Sequence, residues 1–124
     1  GRSKITETIF ENRMNHVELL NQMGSSITLK DNIAYINGVK KLRGRTLVGL
    51  DLRSSAALII AALTSNSISY VYGLEHLDRG YENFELKLSG LGIKIKRQKT
   101  NNVNIIDNDN SNLKKKDISE IKAA

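Results

Sequence analysis

At 124 residues the chain has room for one domain with one hydrophobic core and not for two. Its Cys count of 0 excludes disulfides, thiolate metal sites and a cysteine nucleophile from this chain, and Pro 0 leaves the turns to Gly, Asn, Asp and Ser. The net charge of +6 raises nucleic acid as a partner, but the basic residues are scattered over 40–45, 94–99 and 114–116 and aromatics make up only 5%, so these clusters read as a solvated strand edge and a solvated tail.

Small anions stay compatible with that charge. No apolar run approaches a membrane span, and no basic-then-apolar leader pattern opens the chain, so a soluble, unprocessed intracellular protein without membrane contact is the expectation. The first residue is Gly1 and the only methionines are Met14 and Met23, from which we expect an incomplete translation product.

Alternation from Ile5 to Ile9 predicts a short strand, followed by a helix from about Glu11 to Met23 with Met14, Val17, Leu20 and Met23 three apart and Gly24 as its stop. Residues 26–30 and 33–36 predict two strands around the Asp31-Asn32 turn. Residues 46–50 read as a buried strand leading into Asp51-Leu52-Arg53-Ser54-Ser55, where Ser54 or Ser55 is expected to cap the next helix. That helix, 56–63, is apolar all round and so predicted to be buried on most sides.

Residues 67–72 predict a strand and 73–80 a loop carrying His76, Asp78 and Arg79. Phe84, Leu88 and Leu91 mark a third helix ended by Gly92, and Ile93 and Ile95 a last strand. The expected division is therefore a folded portion at 1–98 and a polar, disordered tail at 99–124, with a weak helix around Ile118 and Ile121. An internal echo runs through this order: Leu20, Met23, Gly24 and Ile27 match Leu88, Leu91, Gly92 and Ile95, which points to a fold built from similar helix-Gly-strand units.

Three places set an acid beside an arginine: Glu11 with Arg13, Asp51 with Arg53, and Asp78 with Arg79. At a helix start the free N–H groups and a guanidinium together suit a phosphate or carboxylate. Asp51 then orients an arginine or moves a proton; the alternative is a helix-dipole partner beside a surface ion pair. Asp78-Arg79-Gly80 is equally open between an anion ligand and a loop ion pair. His76 is a candidate acid or base, or a structural loop residue, and His16 has no second ligand at metal spacing. Neither a Walker loop nor a dinucleotide fingerprint occurs.

Taken together, Thr6-Glu7-Thr8-Ile9-Phe10-Glu11-Asn12-Arg13, Asp51-Leu52-Arg53-Ser54-Ser55-Ala56-Ala57-Leu58 and His76-Leu77-Asp78-Arg79-Gly80-Tyr81-Glu82 resemble, in order and spacing, the C-terminal part of the UDP-N-acetylglucosamine enolpyruvyl transferase family. The resemblance runs from about Ile5 to Arg97. It implies an α/β fold, part of an inside-out α/β barrel domain built from βαβαββ units. It also implies a cytoplasmic, metal-free, cofactor-free transfer of enolpyruvyl from phosphoenolpyruvate to the 3′-hydroxyl of UDP-N-acetylglucosamine, the first committed step of peptidoglycan synthesis.

By the same resemblance Asp51, Arg53 and Arg79 are catalytic, with both arginines holding phosphoenolpyruvate. Asp51 lies beside the reacting carbon, Ile9 and Phe10 contact the UDP-sugar, and Glu11 and Arg13 support them. The departures are Met14 where Phe is usual, Leu50 where Thr is common, and Ser25-Ser26 after Gly24. The family's mobile loop with its Cys or Asp acid, its N-terminal lysine and its general-base aspartate would lie upstream of Gly1. The chain is thus expected to be inactive alone, to need the remainder of the enzyme as partner, and to fold marginally or associate by itself. The alternatives are a fragment like enolpyruvylshikimate phosphate synthase, and a small basic module that binds anions or nucleic acid.

Overall fold

A computed structural model describes residues 1–100 and 118–123 as two sheets and four helices. The first sheet is antiparallel throughout, with β1 (Arg2–Thr6), β2 (Ser26–Lys30) and β3 (Ile33–Asn37) in the order β1-β3-β2. Asp31 takes a left-handed φ of 51° and lets the β2–β3 turn close, as the Asp31-Asn32 pair predicts. Helix α1 (Val17–Gln22) packs on β2.

The second sheet holds the core. Its strands β4 (Thr46–Val48), β5 (Ser69–Tyr72), β6 (Ile95–Thr100) and β7 (Ile118–Ala123) run in the order β4-β5-β7-β6, and only β4 and β5 are parallel. A parallel pair requires a crossover, here the helix α2 (Leu52–Leu63). Leu47, Val71, Ile95 and Ile121 of the sheet meet Leu58, Ile59 and Ala62 of α2, together with Leu74 and Leu77. Each fully buried Leu or Ile there contributes about 1.5–3 kcal/mol.

Several expectations change. The first strand ends at Thr6 rather than Ile9, because the Glu7 carboxylate accepts hydrogen bonds from the Ile9 and Phe10 amides at 2.9 and 3.3 Å and turns the chain. Helix α1 starts at Val17, not Glu11: Asn12 sits at φ 57°, a conformation no right-handed helix continues through. The cap of α2 is Asp51, whose side chain accepts from the Arg53 and Ser54 amides, while Ser54 plays the reciprocal part of a capping box. The loop at 73–80 contains a helix, α3 (Leu74–Asp78), begun by Gly73 at φ 77° and anchored by buried Leu74 and Leu77. Phe84 and Leu88 do mark a helix, α4 (Phe84–Gly90), but Leu91 lies beyond it and is exposed.

The largest change concerns the tail. In place of the weak helix expected around Ile118 and Ile121 stands the strand β7, which pairs with both β5 and β6 and buries Ile121 fully. Lys99 and Thr100 belong to β6. The expected disorder at 101–117, with the lysine run at 114–116, lies outside the described residues.

The internal echo is structural as well. Gly24 and Gly92 stand at φ 89° and 82°, and each closes the same pair of bonds: Gly24 N–H to Asn21 O and Ser25 N–H to Leu20 O, Gly92 N–H to Ser89 O and Ile93 N–H to Leu88 O. Both are Schellman caps, in which a residue without Cβ takes the left-handed position.

Candidate functional site

Ligands of parallel sheets gather at the carboxyl ends of the strands. Here Gly49 follows β4 and Gly73 follows β5, and the two backbones touch: the Gly49 amide donates to Tyr72 O at 2.9 Å. A Cβ on Gly49 would overlap the Ser55 side chain. This contact lets α2 and α3 leave the same sheet end side by side. Gly80 completes the arrangement, since a Cβ there would lie 2.5 Å from Leu52 Cδ2, so the residue after Arg79 rests on the residue before Arg53.

Asp51 is tied on three sides. Its Oδ1 accepts from the Arg53 and Ser54 amides at 2.9 Å each, and its Oδ2 accepts from Asn15 Nδ2 at 3.0 Å. These bonds hold its carboxyl below the ordinary value, the Ser54 amide contributing most and Asn15 and Arg53 adding to it against the cost of partial burial. Asp51 is therefore a helix cap and an ionised carboxylate at once. The Arg53 and Arg79 side chains are exposed, and neither has an ion-pair partner among the described residues.

Of the three acid-arginine junctions, only Asp51 with Arg53 lies where a strand gives way to a helix N-terminus. Arg79 is the C-cap of α3. Asp78 is not its partner, because both Asp78 oxygens are taken by Arg97. Arg13 faces Glu7 at 3.6 Å instead of Glu11, and its guanidinium stacks on the Phe10 ring at 3.9 Å. Glu11 is exposed.

Phe10, Glu11, Arg13, Asn15, Leu29 and Asn32 line a surface groove of about 500 Å³. Asn15 links this groove to the start of α2 through its bond to Asp51. Ile9 is 75% exposed and its amide is committed to Glu7, which leaves its carbonyl and side chain for contact. The Glu7 carboxyl is itself held below the ordinary value, chiefly by that Ile9 amide.

Asn15 and Arg97 escape sequence reasoning. Asn15 carries no local pattern that separates it from other loop asparagines, and Arg97 reads as one more base in the 94–99 cluster. The basic stretch at 40–45 is likewise not purely solvated, as Arg45 Nε donates to Gln22 O at the end of α1. His76 lies in α3 and His16 at the start of α1. Among the described residues no group of three His, Cys, Asp or Glu is placed to hold a metal ion, and no helix is long and apolar enough to cross a membrane.

A capped helix start at the end of β4 carrying the exposed Arg53, with the exposed Arg79 at the C-cap of α3, belongs to a mixed α/β protein whose crossover helix joins two parallel strands. The model of the EPSP synthase (3-phosphoshikimate 1-carboxyvinyltransferase) family matches residues 1–88, and the chain belongs to that family. Within it, the chain is 80% identical over its whole length to a UDP-N-acetylglucosamine 1-carboxyvinyltransferase of Prochlorococcus marinus subsp. pastoris (strain CCMP1986 / NIES-2087 / MED4), covering 27% of that protein.

A protein of the same name from Synechocystis sp. (strain ATCC 27184 / PCC 6803 / Kazusa) is 53% identical over 78% of the chain and 22% of its own length. Among solved structures, the enolpyruvyl transferase NikO from Streptomyces tendae superposes with a TM-score of 0.69 at 29% identity, over 74% of this chain and 22% of that one. The chain thus spans about a quarter of the relatives it matches. The α/β fold built from helix-Gly-strand units is that of this family.

Proposed function

We propose that this chain forms one wall of a UDP-N-acetylglucosamine enolpyruvyl transferase active site, which moves enolpyruvyl from phosphoenolpyruvate to the sugar's 3′-hydroxyl and releases phosphate. The observation that carries this reading is the 80% identity, over the full chain, to a relative bearing that name. Arg53 and Arg79 grip the phosphate and carboxylate of phosphoenolpyruvate and of the tetrahedral intermediate, where two fixed guanidinium groups stabilise the charge that shifts during addition and elimination. Asp51, ionised and immobilised by its three donors, lies beside the reacting carbon.

Ile9 and Phe10 meet the UDP-sugar at the groove, and Glu11 and Arg13 support them, Arg13 by stacking on Phe10. Further parts of a longer polypeptide supply the remaining catalytic groups. Ile60, 55% exposed on a helix whose Leu58 and Ile59 are fully buried, supports the reading that more protein covers this face. The cellular setting is cytoplasmic peptidoglycan synthesis, without metal or cofactor.

The test is a chimera in which this chain replaces the matching segment of the 80%-identical Prochlorococcus marinus protein. Phosphate release from phosphoenolpyruvate with UDP-N-acetylglucosamine is the assay. We expect turnover, and a loss of about 100-fold for Arg53→Ala and for Arg79→Ala, the usual cost of one transition-state donor. Unchanged kinetics in both variants, or turnover with shikimate 3-phosphate as acceptor instead, overturns the reading.

A further inference from the structure

Arg97 of β6 grips two carboxylates at once. Its Nη1 and Nη2 donate to the two Asp78 oxygens at 2.9 and 2.6 Å, and its Nε and Nη2 donate to the two Glu85 oxygens at 3.0 and 3.1 Å. Asp78 is the last residue of α3 and Glu85 lies in the first turn of α4. Between them runs the turn at 79–83, with Arg79 at its head.

We propose that Arg97 is a positioning residue, a staple across this turn that sets the direction in which Arg79 presents its guanidinium. The proposal rests on the reading of Arg79 as a ligand of the phosphorylated substrate. Nothing else among the described residues pairs with Arg79, so its aim is inherited from its backbone. That backbone is held on one side by the Gly80 and Tyr81 amides, which donate to Leu77 O at 3.1 and 2.9 Å, and by Gly80 against Leu52. On the other side it is held by Arg97 and by the Tyr81–Phe84 ring contact at 5.2 Å.

An exposed ion pair by itself fixes little. A planar fork bridging two carboxylates from two helices is different, because each bond constrains the direction of the others. Arg97 also neutralises part of the negative charge that Asp78 and Glu85 would otherwise present next to an anion site. Lysine carries the same charge but, as a point donor, cannot span both carboxylates in this way. The role therefore belongs to the shape of the guanidinium and not to its charge alone.

The test is Arg97→Lys in the chimera. We expect the KM for phosphoenolpyruvate to rise about tenfold, since small misplacements of a substrate-binding group are costly, with the KM for UDP-N-acetylglucosamine and the thermal midpoint nearly unchanged. In an Arg79→Ala background the same substitution should add less than about twofold, because residues acting through one another are not additive. A full tenfold loss on top of Arg79→Ala overturns the staple and leaves a general structural role.

Asp78→Asn is the milder second variant, keeping shape and the Glu85 half of the grip. The lost Arg97 bond should raise the same KM several-fold, whereas an unchanged KM overturns the staple and a lower one would mean that charge alone matters. If Arg79→Ala by itself leaves the KM for phosphoenolpyruvate unchanged, it is the assignment of Arg79 that fails, a result separate from the behaviour of Arg97.

Discussion

Asp51 combines two roles that one pair of substitutions separates. As the N-cap of α2 it accepts from two amides, and as a carboxylate it stands at the end of β4 beside Arg53. Asparagine caps helices as well as aspartate does, and the Asn15 amide can rotate to offer its oxygen to the new NH₂ group, so Asp51→Asn loses only the charge–dipole attraction, about 0.3–1 kcal/mol. Asp51→Ala removes the cap, worth about 1–2 kcal/mol, and roughly 1 kcal/mol more for the Asn15 bond.

Urea unfolding of the 124-residue chain should then rank wild type just above Asp51→Asn and well above Asp51→Ala. Turnover of the chimera should not follow that ranking. If the carboxylate acts on the reacting centre, both variants lose about 100-fold or more in kcat. An Asp51→Asn enzyme within about threefold of wild type, beside a crippled Asp51→Ala, would reduce Asp51 to a helix cap and refute its catalytic part.

Ile121→Ala removes three carbons from a fully buried site and should cost about 3 kcal/mol, cavity included, in urea unfolding, whereas Ile60→Ala, at a 55% exposed site, should cost less than about 1 kcal/mol. Equal, small effects would place β7 outside the folded sheet. For pH, the folded-state pKa values of Asp51 and Glu7 are lowered, so their contribution to stability is fully present above the ordinary values of 3.8 and 4.5 and fades as pH falls through the lowered ones. Unfolding midpoints should be level near neutrality and drop in acid, less steeply for Asp51→Asn. The Arg97 pKa is raised, so its contribution is present below its unfolded value and fades only at strongly alkaline pH, outside this window.

How legible the fold was depended on how local its causes were. The β2–β3 hairpin, the buried α2 and the twin Gly24 and Gly92 caps were readable because turn chemistry and apolar spacing act within a few residues. The start of α1 was misread because its apolar spacing reaches back to Met14, whereas the left-handed backbone at Asn12 bars a helix from Glu11 and the helix begins only at Val17. The α3 helix hid behind its glycines, though the Leu74 and Leu77 spacing was a usable signal. Strand β7 could not be read locally at all: residues 118–123 fit a strand or a weak helix, and the choice is made by β5 and β6, distant in sequence.

The site divides in the same way. Asp51 with Arg53 stood out because strand, acid, arginine and helix are contiguous. That Asp78 answers to Arg97 and Arg13 to Glu7 required the chain to be folded first, since an ion pair's partner is set by tertiary approach and not by adjacency.

The strand order has a consequence in time. Strand β6 touches the rest of its sheet only through β7, and β7 comes after it in the chain. During synthesis β6 therefore has neither edge paired until residues 118–123 have left the ribosome. Arg97 travels with it, so the grip on Asp78 and Glu85 closes late. If Arg97 aims Arg79 as proposed, a nascent chain halted before residue 118 should hold α2 on β4 and β5 before that aim is set.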